Sequence, residues 1–329
     1  MNKENPSNPE IVSQLKFNTQ DEKSLGQCLK DFIEHSGIDV SQIQCAVLGI
    51  AGPVMKGSVT YQLNISHWCP IREQDLERET GLKKVKLIND FVANGYGMLS
   101  LEDKDTYHVI DPEEGPLDDT QRLVFGIGTG CGVCQLMRPE LDQEFHVYPS
   151  EAGIIKLQLY NDTDREFEDF LQHEKKVGCD DIQLILSGRG IKNVYEFLAA
   201  KYPKPSRLLT DKSLEDIKPE DISRYAEQHD DELCLDTLNY FIDYLAKYLG
   251  DMTFTFMPLG GIYLTASVIL AMEFMFERPE VRKRFLDIYH NRGGMTSILK
   301  RVPIKVVKKD DLAIQGCINC ALYQKHFKF

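Results

Sequence analysis

A chain of 329 residues is long enough for two lobes, since single cores seldom grow far beyond about 250–300 residues. Its 42% hydrophobic and 27% charged residues are those of an ordinary globular protein, and a formal net charge of −13 argues against nucleic acid or an anionic membrane as partner. The opening Met1-Asn2-Lys3-Glu4-Asn5-Pro6 is too polar for a signal-peptide core, and the most apolar stretch, residues 264–276, is short and carries Glu273. Nine cysteines without a secretory signal read as reduced thiols in the cytoplasm.

In chain order, residues 1–10 read as disordered and 11–17 as a short strand. Leu25, Cys28, Leu29, Phe32 and Ile33 make a helical stripe over 24–35, ended by Gly37. Strands are expected over 44–50, 58–63 and 85–88, a helix over 71–80 stopped by Gly81, and another over 91–99. An Asp-, Glu- and Pro-rich linker at 102–120 separates two lobes: a small one from 11–101 plus 311–329 and a large one from 102–310. Residues 123–137 read as strand, glycine turn and strand. Helices follow over 164–176, 190–201, 219–228 and 232–249, then a strand at 253–257 and a helix from about 266. A strand at 302–307 precedes a last helix, capped by Asp310 or Asp311, running to 324. Strands alternate with helices in both halves without repeats, which makes the chain α/β.

Five motifs carry candidate chemistry. Glycines at 126, 128, 130 and 132 fit neither a Walker loop nor a dinucleotide fingerprint. Their alternation predicts a hairpin turn open to positive φ, whose amides, with the Thr129 hydroxyl, can converge on phosphate oxygens; a tight hairpin binding nothing is the alternative. Asp90, where an apolar strand runs out, suits a general base for a hydroxyl, although taken alone a helix cap is the favoured reading. Asn89 beside it fits a sugar site, which pairs amides with carboxylates. Glu151, between a strand and small residues, could hold vicinal hydroxyls or be a solvated loop residue. Gly260-Gly261 could seat an adenosine or serve close helix–strand packing, and 185–190 reads as a hinge or cap between helices. The pairs Cys131/Cys134 and Cys317/Cys320 could be zinc ligands, but positions three apart on a strand face opposite ways, so buried thiols are the preferred reading.

Six stretches in register resemble the bacterial-type glucokinases of the actin-like (ribonuclease H-like) sugar kinase superfamily, over residues 16–322. They are Gly49-Ile50-Ala51-Gly52-Pro53, Leu87-Ile88-Asn89-Asp90-Phe91, the turn from Gly126 to Gly132, Ser150-Glu151-Ala152-Gly153, Leu186-Ser187-Gly188-Arg189-Gly190 and Leu259-Gly260-Gly261. The resemblance implies a two-lobed fold and ATP- and Mg2+-dependent phosphorylation of the 6-hydroxyl of glucose in a cleft. It assigns Asp90 as base and Asn64, Asn89, Glu151 and Gln183 to the sugar. Gly128, Thr129, Gly130 and Gly132 would hold phosphates, and Gly260 and Gly261 would lie near the adenosine. It implies no protein metal ligand, a small hexose as partner, no nucleic acid and no membrane, and it leaves room for a homodimer.

The chain departs from the family pattern at four places. Ile154 stands where the family has His, Gln183 where it has a second sugar-binding Glu, and Asn64-Ile65 where it has Thr-Asn before Trp68. The strand ending in Asp-x-Gly-Gly-Thr, which contacts ATP phosphates, has no counterpart, so the small lobe is expected to lack its first two strands and strand 44–50 to keep an unpaired edge. The expectation is therefore a glucokinase, N-terminally incomplete or impaired. The alternative is a non-catalytic glucokinase-like protein that binds a hexose or a partner. A sugar-kinase-like repressor fits poorly, because no DNA-binding helix pair precedes the lobe.

Overall fold

The computed structural model describes residues 10–61, 65–112, 114–178, 181–309 and 311–322. The chain divides into two compact units, Met1–Glu102 with Asp311–Phe329, and Asp103–Asp310.

In the first unit, helix α1 (Leu25–Ser36) begins where Ser24 Oγ accepts from Gln27 N at 3.1 Å and ends at Gly37, with φ of +66°. A serine cap and a left-handed glycine are what the sequence offers at those two points. Strands β1 (Ala46–Ile50) and β4 (Val85–Asn89) pair in parallel, from Ala46↔Val85 to Ile50↔Asn89. Between them, β2 (Ser58–Val59) pairs with β3 (Ile71–Arg72), and helix α2 (Glu73–Thr80) stops at Gly81. Val59, Trp68, Leu76, Val85 and Leu87 form the centre of this unit's core.

Helix α3 (Asp90–Gly97) follows β4 directly and crosses the C-terminal helix Leu312–Leu322 with almost no separation. A Cβ on Gly316 would lie 1.6 Å from Ala93 O, and one on Gly97 2.2 Å from Leu312 O. Only glycine permits that approach.

Two expectations for this unit are corrected. Residues 11–17 form no strand: no ladder pairs them, Ile11 and Val12 are exposed, and of their large apolar side chains only Phe17 packs on the core. An extended segment without a partner has nothing to satisfy its amides but water. The helix read from 71 begins at Glu73, because Ile71 and Arg72 are taken up by pairing with β2.

The second unit is built on a six-stranded sheet in the order β5-β10-β9-β6-β7-β8: β5 (Thr106–Ile110), β6 (Gln121–Ile127), β7 (Cys131–Met137), β8 (His146–Ser150), β9 (Ile262–Thr265) and β10 (Ile304–Val307). β6, β9 and β10 run parallel, and the outer strands are antiparallel to their neighbours. Helices α4 (Asp162–His173) and α5 (Gly188–Lys201) and the long helix Glu232–Phe256 pack on it through Phe167, Phe197, Phe241 and Tyr248. No helix among the described residues is long and apolar enough to cross a membrane.

Two readings fail here for identifiable reasons. The linker 102–120 contains β5, whose Val109 and Ile110 are buried inside an acidic, proline-bearing stretch. Residues 253–257 are not a strand but the end of the long helix; Thr253 Oγ1 donates to Leu249 O one turn back, so the β-branched residue is accommodated. The strand expected before Glu151 is β8, a partly exposed edge strand containing Pro149.

The cysteine pairs are free thiols: Cys134 and Cys320 are buried, Cys131 and Cys317 half-buried. Burial pushes Cys317 up to about 11 and Cys320 to about 12, which leaves both inert as nucleophiles at neutral pH.

Candidate functional site

The first site lies where β4 becomes α3. A strand-to-helix junction exposes the first amides of the helix, and here Asn89 takes them: its Oδ1 accepts from Phe91 N at 2.9 Å and Val92 N at 3.2 Å. Its Nδ2 donates to Gly52 O at 3.1 Å and to Asp90 Oδ1 at 3.0 Å. Both donors and both lone pairs of the amide are thereby used, so Asn89 caps the helix and braces Asp90.

The cap position that competed for Asp90 thus belongs to its neighbour. Asp90 also accepts from Phe91 N at 3.0 Å, again on Oδ1, and among the described residues Oδ2 takes no bond. Burial raises the Asp90 carboxyl above its ordinary range, against the lowering effect of the bonds from Phe91 N and Asn89. The result is a carboxylate held by one oxygen with the other available, and more basic than an exposed aspartate. Asn64, the other amide expected at a sugar, lies outside the described residues.

The second site gathers around the β6–β7 turn. Gly128 N donates to Gly130 O at 2.9 Å, and Gly188 N at the start of α5 donates to Gly128 O at 2.8 Å. None of Gly126, Gly128, Gly130 and Gly132 has φ in the left-handed range, which corrects the expected reason for the glycines. What they supply at the tightest point is room: a Cβ on Gly130 would lie 2.5 Å from Gln183 Oε1.

Gln183 Oε1 accepts from Cys131 N at 3.1 Å, so half of its amide secures the turn while Nε2 has no partner among the described residues. Gly153 packs on the same segment, where a Cβ would fall 1.9 Å from Cys131 O. That contact brings the exposed Glu151 beside the turn, together with Ile154, which is 52% exposed. Thr129, Gln183 and Glu151 therefore lie around one hairpin.

Gly260 and Gly261 do not join them. They precede β9, where Ile262 is level with Leu123, whereas the turn lies at the other end, where Thr265 is level with Gly126. A strand length, roughly 10 Å, separates the two ends. Gly260 instead packs on Asp119 and Gln121, and Gly261, with φ of +127°, on Pro303 O. Placing a strand at 253–257 had put the glycine pair at the wrong strand end.

A cavity of about 270 Å3 opens at the right end, lined by Gly128, Thr129, Gly188, Pro219, Ser267 and Val268 among others. Carboxyl ends of parallel strands are where open α/β sheets bind ligands. Ala266 connects β9 to this wall with φ of +77° and ψ of 168°, a conformation nearly reserved for glycine. Nothing in an alanine announces that strain, which is why the sequence reading passed over it. Ala266→Gly should raise stability by about 1 kcal/mol in urea unfolding; an unchanged or lower midpoint would show that the strain is absorbed elsewhere.

The family model for glucokinase matches residues 2–324. The chain belongs to the glucokinase family. A glucokinase-like protein of Xylella fastidiosa is 28% identical over 97% of this chain and 88% of its own, and a glucokinase of Allorhizobium ampelinum is 28% identical over 91% and 82%. Among solved structures, glucokinase from an Antarctic psychrotroph is similar with a TM-score of 0.71 at 24% identity, covering 92% of this chain and 87% of that one. A ROK family glucokinase from Streptomyces griseus, in complex with glucose and AMPPNP, is similar with a TM-score of 0.60 at 18% identity, over 90% and 86%. At these identities the likenesses show the shared actin-like kinase fold.

Proposed function

We propose that the chain phosphorylates glucose to glucose 6-phosphate with ATP and Mg2+. The unit of Met1–Glu102 with Asp311–Phe329 is read as the small lobe of the actin-like fold, with β1 and β4 remaining of its sheet, and Asp103–Asp310 as the large lobe. The observation that carries the reading is the Asp90 carboxylate, braced through Oδ1 and raised in basicity by burial. Oδ2 takes the proton of the sugar 6-hydroxyl as that oxygen attacks the terminal phosphorus.

Glu151 and the Gln183 Nε2 hold further hydroxyls, with Asn64 assigned to the sugar by family resemblance. Gly128, Thr129, Gly130 and Gly132 hold ATP phosphates, and the cavity by Ser267 and Val268 seats the adenosine. Mg2+, when bound with ATP, would supply charge neutralisation on the phosphates. The free thiols suit a reducing cytoplasm.

A second reading, a glucokinase-like protein that binds a hexose without phosphorylating it, is favoured by Ile154, exposed and unable to hydrogen-bond beside Glu151, and by the commitment of Gln183 to Cys131. A coupled assay of purified protein with ATP, Mg2+ and glucose separates the two. Glucose 6-phosphate formation is expected. Glucose binding without turnover would establish the second reading, and neither binding nor turnover would overturn both.

A further inference from the structure

Helix α5 borders a second recess that phosphoryl transfer does not use. A cavity of about 400 Å3, within the usual roughly 300–1,000 Å3 of small-molecule sites, is lined by Lys175, Val177, Leu184, Lys192 and Asn193, with Arg189 and Pro219 shared with the cavity at the glycine turn. Three of these residues are cations. The acid paired with them is Glu196, hydrogen-bonded to Lys175 Nζ and 3.9 Å from Lys192 Nζ. Lys192 also donates to Glu215 O at 2.8 Å, whereas Arg189 has no ion pair among the described residues.

Among the residues that line the recess three are cations and none is an acid, in a chain whose formal net charge is −13; Glu220 lines the adjoining cavity with Arg189. Asn193 adds an independent sign. It is only 5% exposed, its Nδ2 donates to Leu184 O at 3.3 Å, and its oxygen and second N–H have no partner among the described residues. A buried amide with half its capacity unused, on the wall of a cavity, is a place where a polar ligand or water completes the set.

We propose that this recess binds a small phosphate-bearing anion. Its phosphate meets Lys175, Lys192, Arg189 and the Asn193 amide, and any organic remainder meets Val177, Leu184 and Pro219. Phosphate is favoured over a lone carboxylate because a dianion matches converging cations and offers the oxygens that a guanidinium engages in pairs. Arg189 and Pro219 border both cavities, so occupancy here shifts affinity at the turn; that coupling, unlike the binding itself, depends on the nucleotide reading above.

The test is isothermal titration of the full chain with inorganic phosphate and, separately, with glucose 6-phosphate, at constant ionic strength. Saturable binding is expected in at least one arm. Tighter binding of the sugar phosphate that the lysine variants weaken identifies an esterified ligand using the apolar wall; binding they leave unchanged belongs to the proposed kinase site, and equal affinities identify free phosphate. Lys192→Met and Lys175→Met should each weaken binding about tenfold, and Asn193→Asp, which sets a carboxylate against the anion, should weaken it further. Melting curves check that each variant is folded. No saturable binding in either arm, or wild-type affinity in both methionine variants, overturns the proposal. No step requires turnover, so a chain that fails as a kinase can still pass.

Discussion

Asp90→Asn is expected to lower turnover by about 10²–10⁴-fold, the range for losing a general base, while leaving glucose binding nearly intact. Asparagine has the same shape, and its oxygen can still accept from Phe91 N and the Asn89 amide, so the junction of β4 and α3 survives. The stability effect has the opposite sign to the activity effect. Burial raises the folded carboxyl above the unfolded value, so its contribution to stability is fully present below the ordinary carboxylate range and is lost as pH rises through the raised folded value. At neutral pH the ionised group is a cost, and the neutral amide should melt at the same temperature or higher. Initial rates and thermal melts check this together. A variant that loses activity and melting temperature in parallel would show that Asp90 is structural.

At Gly316 the two effects should move together. Gly316→Ala places a methyl 1.6 Å from Ala93 O, a backbone atom that no rotamer change can move aside. Overpacking costs about 1–3 kcal/mol where side chains can yield; here the helices themselves must part, so a loss of about 3 kcal/mol is expected in urea unfolding. Because α3 begins with Asp90, its displacement should carry activity down with stability. Ile314→Ala is the control: that residue is 62% exposed two positions away and should change stability by less than about 0.5 kcal/mol. Equal effects of the two substitutions would show that the crossing tolerates separation.

The readable parts of the sequence were those in which one residue does one local job. Ser24, Gly37 and Gly81 bound their helices because capping depends on the cap residue and the turn beside it. The apolar strands 44–50 and 85–88 emerge as the parallel pair β1 and β4, with Val85, Leu87 and Ile88 buried in β4 and Ile50 in β1. What escaped depends on partners far away in the chain. β5 exists because β10 pairs with it, about 200 residues on. Asn89 and Gln183 were assigned to the sugar by family resemblance, and hydrogen-bond accounting in three dimensions shows Asn89 also holding the backbone and Asp90, and half of the Gln183 amide held by the backbone. The glycine pair at 260–261 shows how a single misplaced strand inverts a site, since it decides which end of β9 faces the turn.

The intimate crossing of α3 with the C-terminal helix also sets a timetable for biosynthesis. Its two halves leave the ribosome about 220 residues apart, which at roughly 5–20 residues per second is a delay of about 10–40 s. Throughout that interval Ala93 and Gly97 await their counterpart while the stretch Asp103–Asp310 is made, and its sheet is completed when β10 emerges just ahead of the C-terminal helix. The nascent chain is therefore expected to complete its middle first and its beginning last, and chaperone contacts should concentrate on the early-made helix.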